Sequence, residues 1–294
     1  MDESTEKSNT LVQEEFHYLD SQTGKEKLLI KTFSREDVAS FGKIFIFHDY
    51  FDYHKYYVEF AHFLASRGLK VVIHDHKGLG RSSGSRGYVN SWDDYLNDCR
   101  QVIQEFQETK EDFFILGTGL GAVLGIDLCL NSKPEFLKRI RGLICLNPAL
   151  KLKIHYPDWG RGMLHRFPKF LEKVHFPVQF NYHRFCTEYH HAQLVNADPL
   201  VPHDISLKTL SELLNAGFNL RKKSYFLDKP SLVLLSEKGH ICDNDFIKVF
   251  MKGFQKNLLQ LKEIKDSYHD LLHDQRKDEV YKEIEKWLKN FKTS

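Results

Sequence analysis

Residues 112–125 read Asp-Phe-Phe-Ile-Leu-Gly-Thr-Gly-Leu-Gly-Ala-Val-Leu-Gly. Four apolar residues, Phe113 to Leu116, run straight into glycines and then into an apolar stretch of helical character. A buried strand that becomes a helix within so few residues needs small residues at its corner. The tip, Gly117-Thr118-Gly119-Leu120-Gly121, is where such a corner presents the group it holds.

The same rhythm surrounds this corner. Short apolar runs (residues 43–48, 70–75, 141–148 and 231–236) alternate with helical patterns. Tyr57, Phe60, Ala61 and Leu64 share one helical face, and Gly68 stops it. Trp92, Tyr95, Leu96, Cys99, Val102, Ile103 and Phe106 recur at three and four, behind a Ser91 cap with Asp94 three residues on. A final helix shows Val280, Ile284, Trp287, Leu288 and Phe291 on one face. Two alternating segments, 14–20 and 27–33, precede all this and read as a hairpin. Strands and helices in this order predict an α/β fold with a mostly parallel sheet covered on both faces.

Residues 1–13 read as a disordered tail. The core is predicted over 14–150 and 206–294. Between them, 151–205 break the pattern: Tyr156, Trp159, Phe167, Phe170, Phe176, Phe180, Tyr182 and Phe185 interleave with Lys151, Lys153, Arg161, Arg166, Lys169 and Lys173 and several prolines. That composition reads as a cap or lid inserted in the core.

Charge and cysteine content narrow the function. A net charge of +2 gives no field for nucleic acid. Five cysteines, an odd number without paired spacing, read as free thiols in a reducing, cytoplasmic compartment. No apolar run is long enough to span a bilayer.

Two mechanisms compete for the glycine corner. Gly117, Gly119 and Ala122 satisfy the dinucleotide fingerprint G-x-G-x-x-G/A. Against it, two strand–helix units already precede the motif, and the next strand ends in Leu146-Asn147-Pro148 without the acidic residue a ribose needs. The alternative is the nucleophile elbow G-x-S-x-G, with Gly117 and Gly121 as the outer glycines and Gly119 at the serine position.

The flanks favour the elbow. Phe47-His48 closes a strand where an oxyanion loop begins. Asp75, Gly78, Gly80, Ser82, Gly84 and Arg86 follow a D-x-x-G-x-G-x-S-x-G pattern. Asn196 to Leu200 contain Asp-Pro-Leu, and residues 268–274 read Tyr-His-Asp-Leu-Leu-His-Asp. From about residue 15 to the end, the chain resembles the monoglyceride lipase and lysophospholipase branch of the α/β hydrolases. That resemblance implies an eight-stranded sheet flanked by helices, with a cap insertion.

It also implies a triad of nucleophile, acid and histidine. His269 falls on the histidine position. Gly119 takes the nucleophile position and Gly239 the acid position, so both are without a side chain; Glu237 and Asp243 are the nearest substitute acids. Thr118 precedes the tip and is expected to point elsewhere. The oxyanion donors are expected from Tyr50 and Leu120, but Asp49 stands in the loop, where its charge would oppose a developing oxyanion, and Tyr50 and Phe51 are bulky enough to fill the space. Glycine at 119 would relieve the strain of a left-handed tip residue.

The resulting expectation is a homologue that has lost hydrolysis and binds an acyl lipid or a partner, with peripheral membrane contact through the cap, no nucleic acid and no cofactor. The alternative is a carboxylester hydrolase using non-standard residues. Among 16 histidines, His74-Asp75-His76 and His190-His191 are the densest groups. They read as surface and loop histidines, and no metal is expected.

Overall fold

A computed structural model describes residues 12–107, 111–153, 169–177 and 185–292. Cap residues Tyr156, Trp159, Phe167, Phe180 and Tyr182 lie outside the described residues, as do residues 1–11 of the expected tail.

The hairpin is β1 (Gln13–Asp20) and β2 (Lys27–Ser34), paired antiparallel. Then come β3 (Gly42–Phe47), α1 (Val58–Ala65), β4 (Leu69–His74), α2 (Trp92–Phe106), β5 (Phe113–Thr118), α3 (Gly119–Asn131), a short α4 (Pro134–Leu137) and β6 (Ile140–Leu146). The chain returns from the cap through β7 (His175–Pro177), α5 (Tyr189–Ala197), β8 (Asp204–Ser206) and α6 (Leu207–Leu220). It closes with β9 (Ser231–Ser236), α7 (Asn244–Met251), β10 (Leu259–Ile264) and α8 (Lys277–Lys289).

Eight strands form one sheet in the order β1-β2-β4-β3-β5-β6-β9-β10. The pairs from β4 through β10 are parallel, and only β1–β2 and β2–β4 are antiparallel. β7 and β8 pair separately.

Alternation along the strands divides the core. Phe45, Phe47, Phe113, Ile115, Leu143 and Val233 face α2, α3 and α6. Ile44, Ile46, Phe114, Leu116, Ile144 and Leu234 face α1 and α8. The predicted face of the last helix is buried through Val280, Ile284, Trp287 and Leu288, and Ser91 Oγ caps α2 by accepting from Asp94 N–H. Among the described residues, no helix is long and apolar enough to cross a membrane.

The segment expected as a cap is pinned at its Asp-Pro-Leu to the residues before α1 and to its own backbone. Asp198 accepts from Tyr53 OH (2.8 Å), Tyr56 OH (2.9 Å), Lys55 Nζ (2.9 Å) and Leu200 N–H (3.0 Å). Although burial acts to raise its pKa, these donors hold it at about 2. Of the cap aromatics, Phe170 and Phe176 are exposed, whereas Phe185 is buried.

One residue after β6 fixes the far side of the sheet edge. Asn147 is buried with φ +45°. Its Oδ1 accepts from Ser236 N–H (2.8 Å), and its Nδ2 donates to His269 O (2.7 Å). Replacing it leaves two buried backbone groups unpaired. Asn147→Ala is expected to destabilise the protein by about 2–4 kcal/mol, read as a lower urea midpoint at unchanged m-value.

Candidate active site

The strand order decides which loops meet. The chain adds β4 on one side of β3 and then β5 and β6 on the other. Loops leaving the carboxyl ends of the strands at such a reversal border a crevice. Phe47 pairs with Gly117, so residues 48–50 and 118–121 emerge side by side. A Cβ on Gly121 would lie 2.0 Å from Phe47 O, and one on Gly117 2.4 Å from Gly121 O. The outer glycines of the corner are there for this close approach.

Gly119 has φ +48°, the left-handed region expected of an elbow tip. Steric exclusion is the stronger reason for glycine. A Cβ at this position would lie 2.1 Å from Cγ and both carboxylate oxygens of Asp49. The carboxylate of Asp49 occupies the volume that a side chain on residue 119 would need.

That carboxylate is also where the two amide donors converge. Asp49 Oδ1 accepts from Tyr50 N–H (2.7 Å) and Leu120 N–H (2.8 Å). Both expected donors are therefore present, and both are spent on one oxygen of the protein itself. Leu120 N–H belongs to the first turn of α3, whose dipole adds to the attraction. Asp49 Oδ2 accepts from His269 Nε2 (2.8 Å). The expected conflict between Asp49 and an oxyanion hole takes a specific form: the Asp49 carboxylate itself sits on the two amide donors. Tyr50 does not border the cavity beside Gly119. The Tyr50 ring turns away, its hydroxyl lying 3.1 Å from Gly87 O and 3.0 Å from Asp204 O.

His269 arrives on the loop after β10, held by Asn147. Burial acts to lower its pKa, but the Asp49 hydrogen bond and the neighbouring Cys242 side chain outweigh it and raise the value to about 10. An imidazolium has no lone pair with which to take a proton from a nucleophile. The Asp49 contact keeps a proton on Nε2 in either charge state, which is the wrong tautomer for a base acting through that atom. Nδ1 is buried without a hydrogen-bond partner.

The expected substitutes for the acid are engaged elsewhere. Glu237 Oε2 accepts from Asp266 N–H, and Asp243 caps α7 while pairing with Lys151. Gly239 lies in the turn after β9, its carbonyl accepting from Lys153 Nζ. Thr118 shares a hydrogen bond with Tyr57 OH, which donates onward to Asp52 Oδ2. Cys242 is the thiol beside the imidazole, but it is 2% exposed and 3.4 Å from Asn147 O. The cavity bordered by Asp49, Gly119, Phe185 and His269 has room for about one water.

The sequence reading placed Asp49 in the loop but missed its role. The signal was the glycine at 119 together with the aspartate at 49, a steric fit legible only once the two loops are known to touch.

The sheet order, the strand–turn–helix corner and the amide pair together define an α/β hydrolase fold. The family profile described as "Serine aminopeptidase, S33" matches residues 39–276. The chain belongs to that family. It is 24% identical over 252 residues to mouse monoglyceride lipase, covering 83% of this chain and 81% of that protein. A Monkeypox virus monoglyceride lipase homolog is 26% identical over 259 residues, covering 84% and 89%. Among solved structures, the Saccharomyces cerevisiae monoglyceride lipase, a soluble variant in complex with a substrate analog, superposes with a TM-score of 0.83 at 18% identity over 97% of this chain and 98% of that one. The monoacylglycerol lipase of Paleococcus ferrophilus gives 0.80 at 19% over 90% and 99%. These structural likenesses concern the fold.

Two expectations follow from the Asp49 geometry. Gly119→Ser alone is expected to cost about 3 kcal/mol, because it overpacks against a fixed carboxylate. In an Asp49→Gly background the same change costs about 1 kcal/mol, the left-handed strain alone. A double-mutant cycle by urea denaturation measures the coupling. The second concerns pH. The folded pKa of His269 lies above its unfolded value of about 6.5. Its contribution to stability is then complete below about pH 6.5 and is lost as pH rises through about 10. Asp49→Asn flattens that slope in a pH series of unfolding midpoints.

Proposed function

We propose that this chain is a non-hydrolysing member of its family that holds an acyl glycerol intact under the segment expected as a cap rather than at the elbow itself, where the cavity has room for about one water. The observation that carries the reading is the Asp49 carboxylate, held by Tyr50 N–H, Leu120 N–H and His269 over a glycine at the elbow tip. Every group that would act on an ester is either absent or committed to that carboxylate.

Magnitudes support the loss of turnover. Removing a nucleophile costs about 10⁶ in turnover, and an intact hole retains about 10³–10⁴ over water. Filling the hole removes that remainder, since each donor is worth about 10²–10³. The ligand class rests on the relatives, whose names are those of monoglyceride lipases. The charge at the hole refines it. A fatty-acid anion would meet the Asp49 carboxylate, whereas a neutral monoacylglycerol would not.

The test incubates the full chain with a 1-monoacylglycerol, follows free fatty acid by mass spectrometry, and adds a fluorophosphonate probe. No release and no labelling are expected, with a thermal shift from monoacylglycerol and none from fatty acid. Turnover abolished by His269→Ala would establish the alternative, a working hydrolase. Gly119→Ser with Gly239→Asp is expected to stay inactive while Asp49 remains. Adding Asp49→Gly is expected to bring ester hydrolysis above background.

A further inference from the structure

Behind the loop that carries Asp49 lies a second group of side chains with no part in the site above. His74 is the last residue of β4, His76 follows two residues later, and Cys99 and Tyr95 lie one turn apart on α2. His74, His76 and Cys99 are 1%, 0% and 0% exposed. The two histidines are therefore core residues, which corrects the expectation of surface and loop positions. We propose that His74, His76 and Cys99 bind one zinc-class cation through two imidazole nitrogens and a thiolate.

Four observations support this. One nitrogen from each ring and Cys99 Sγ all lie within 4.8 Å of one another. His74 Nε2 is 3.9 Å from Cys99 Sγ, whereas tetrahedral bonds of about 2.0–2.1 Å to nitrogen and 2.3 Å to sulfur would set the two about 3.6 Å apart. The imidazole rings stand at 88° with centroids 4.8 Å apart, so they are not stacked against each other. Finally, His76 Nε2 bonds His48 O (3.1 Å), while His76 Nδ1 is buried with no hydrogen-bond partner.

That last feature is the arrangement of a metal-bound histidine. Donation from one ring nitrogen to a backbone carbonyl leaves the lone pair on the other. The orphaned Nδ1 otherwise carries the cost of an unpaired buried acceptor. Tyr95 OH is also buried and unpartnered, and its ring centroid lies 5.5 Å from that of His76. Cation binding displaces one proton, from the Cys99 thiol, and the resulting thiolate is held by the ion's own charge.

The cluster of His191, Asp270 and His273 is the contrasting case. Its imidazole nitrogens are already spent on the Asp270 carboxylate at 2.9–3.1 Å, and its rings are stacked at 7°. It is a satisfied ion pair between α5 and the His269 loop.

The buried ion would reach the Asp49 loop through one residue. His48 Nε2 accepts from His76 N–H (2.9 Å), and His48 Nδ1 donates to Asp49 O (2.6 Å).

The experiment measures metal in the full chain, as purified and after refolding with and without zinc chloride. One equivalent of zinc and a higher melting temperature are expected. Cobalt in its place should show a sulfur-to-metal charge-transfer band. Cys99→Ala, a small buried replacement, should lose that band, the zinc-dependent stabilisation, and at least about 100-fold in zinc affinity. His191→Ala should change none of these. Failure to take up zinc on refolding would overturn the proposal, as would full retention of zinc by Cys99→Ala or its loss only in His191→Ala.

Discussion

The Asp49 carboxylate is the interaction on which the rest of this site depends. Two amide N–H groups and one imidazole converge on it at 2.7–2.8 Å. Each of those donors belongs to a different part of the chain: the loop after β3, the first turn of α3, and the loop after β10. The carboxylate therefore joins the sheet edge across its centre. A buried, hydrogen-bonded charge of this kind is costly to break from either side, about 3–5 kcal/mol when one partner is removed. The same contact that occupies both amide donors and the imidazole also ties their loops together.

Gly119 and Asp49 are sterically coupled. With a side chain at 119, the carboxylate has no room; without the carboxylate, the amide pair and the imidazole face a pocket with nothing to bind. The left-handed φ of residue 119 favours glycine by about 1–3 kcal/mol. The 2.1 Å approach to Asp49 adds a steric reason: any side chain at 119 would have to displace the hydrogen-bonded carboxylate.

Much of the fold was legible because its signals are local. The short apolar runs of β3, β5, β6 and β9, the helical stripe on α8 and the Ser91 cap each follow from a few neighbouring residues. The positions of Gly119, Tyr50, Leu120 and His269 followed from motif order. What could not be read was the meeting of residues remote in sequence. Asp49 and Leu120 are 71 residues apart, and Asp49 and His269 are 220 apart. His74 and His76 misled for a related reason. A motif at a strand end suggests a loop at the surface, but here the strand lies inside the sheet and α2 covers its end.

The direction of the hole's field explains why an acidic side chain, rather than a bulky apolar one, closes it. The N–H groups of Tyr50 and Leu120 point into a space with little water, and Leu120 N–H carries the positive end of α3 as well. An apolar plug would leave both donors unpaired, at about 1–3 kcal/mol each, with a histidine beside them unable to hold charge. A carboxylate satisfies both donors with one oxygen and the imidazole with the other. The amide pair that would bind a transient oxyanion in this fold here binds a permanent carboxylate. The chain supplies it from its own loop, one residue after the histidine that follows β3.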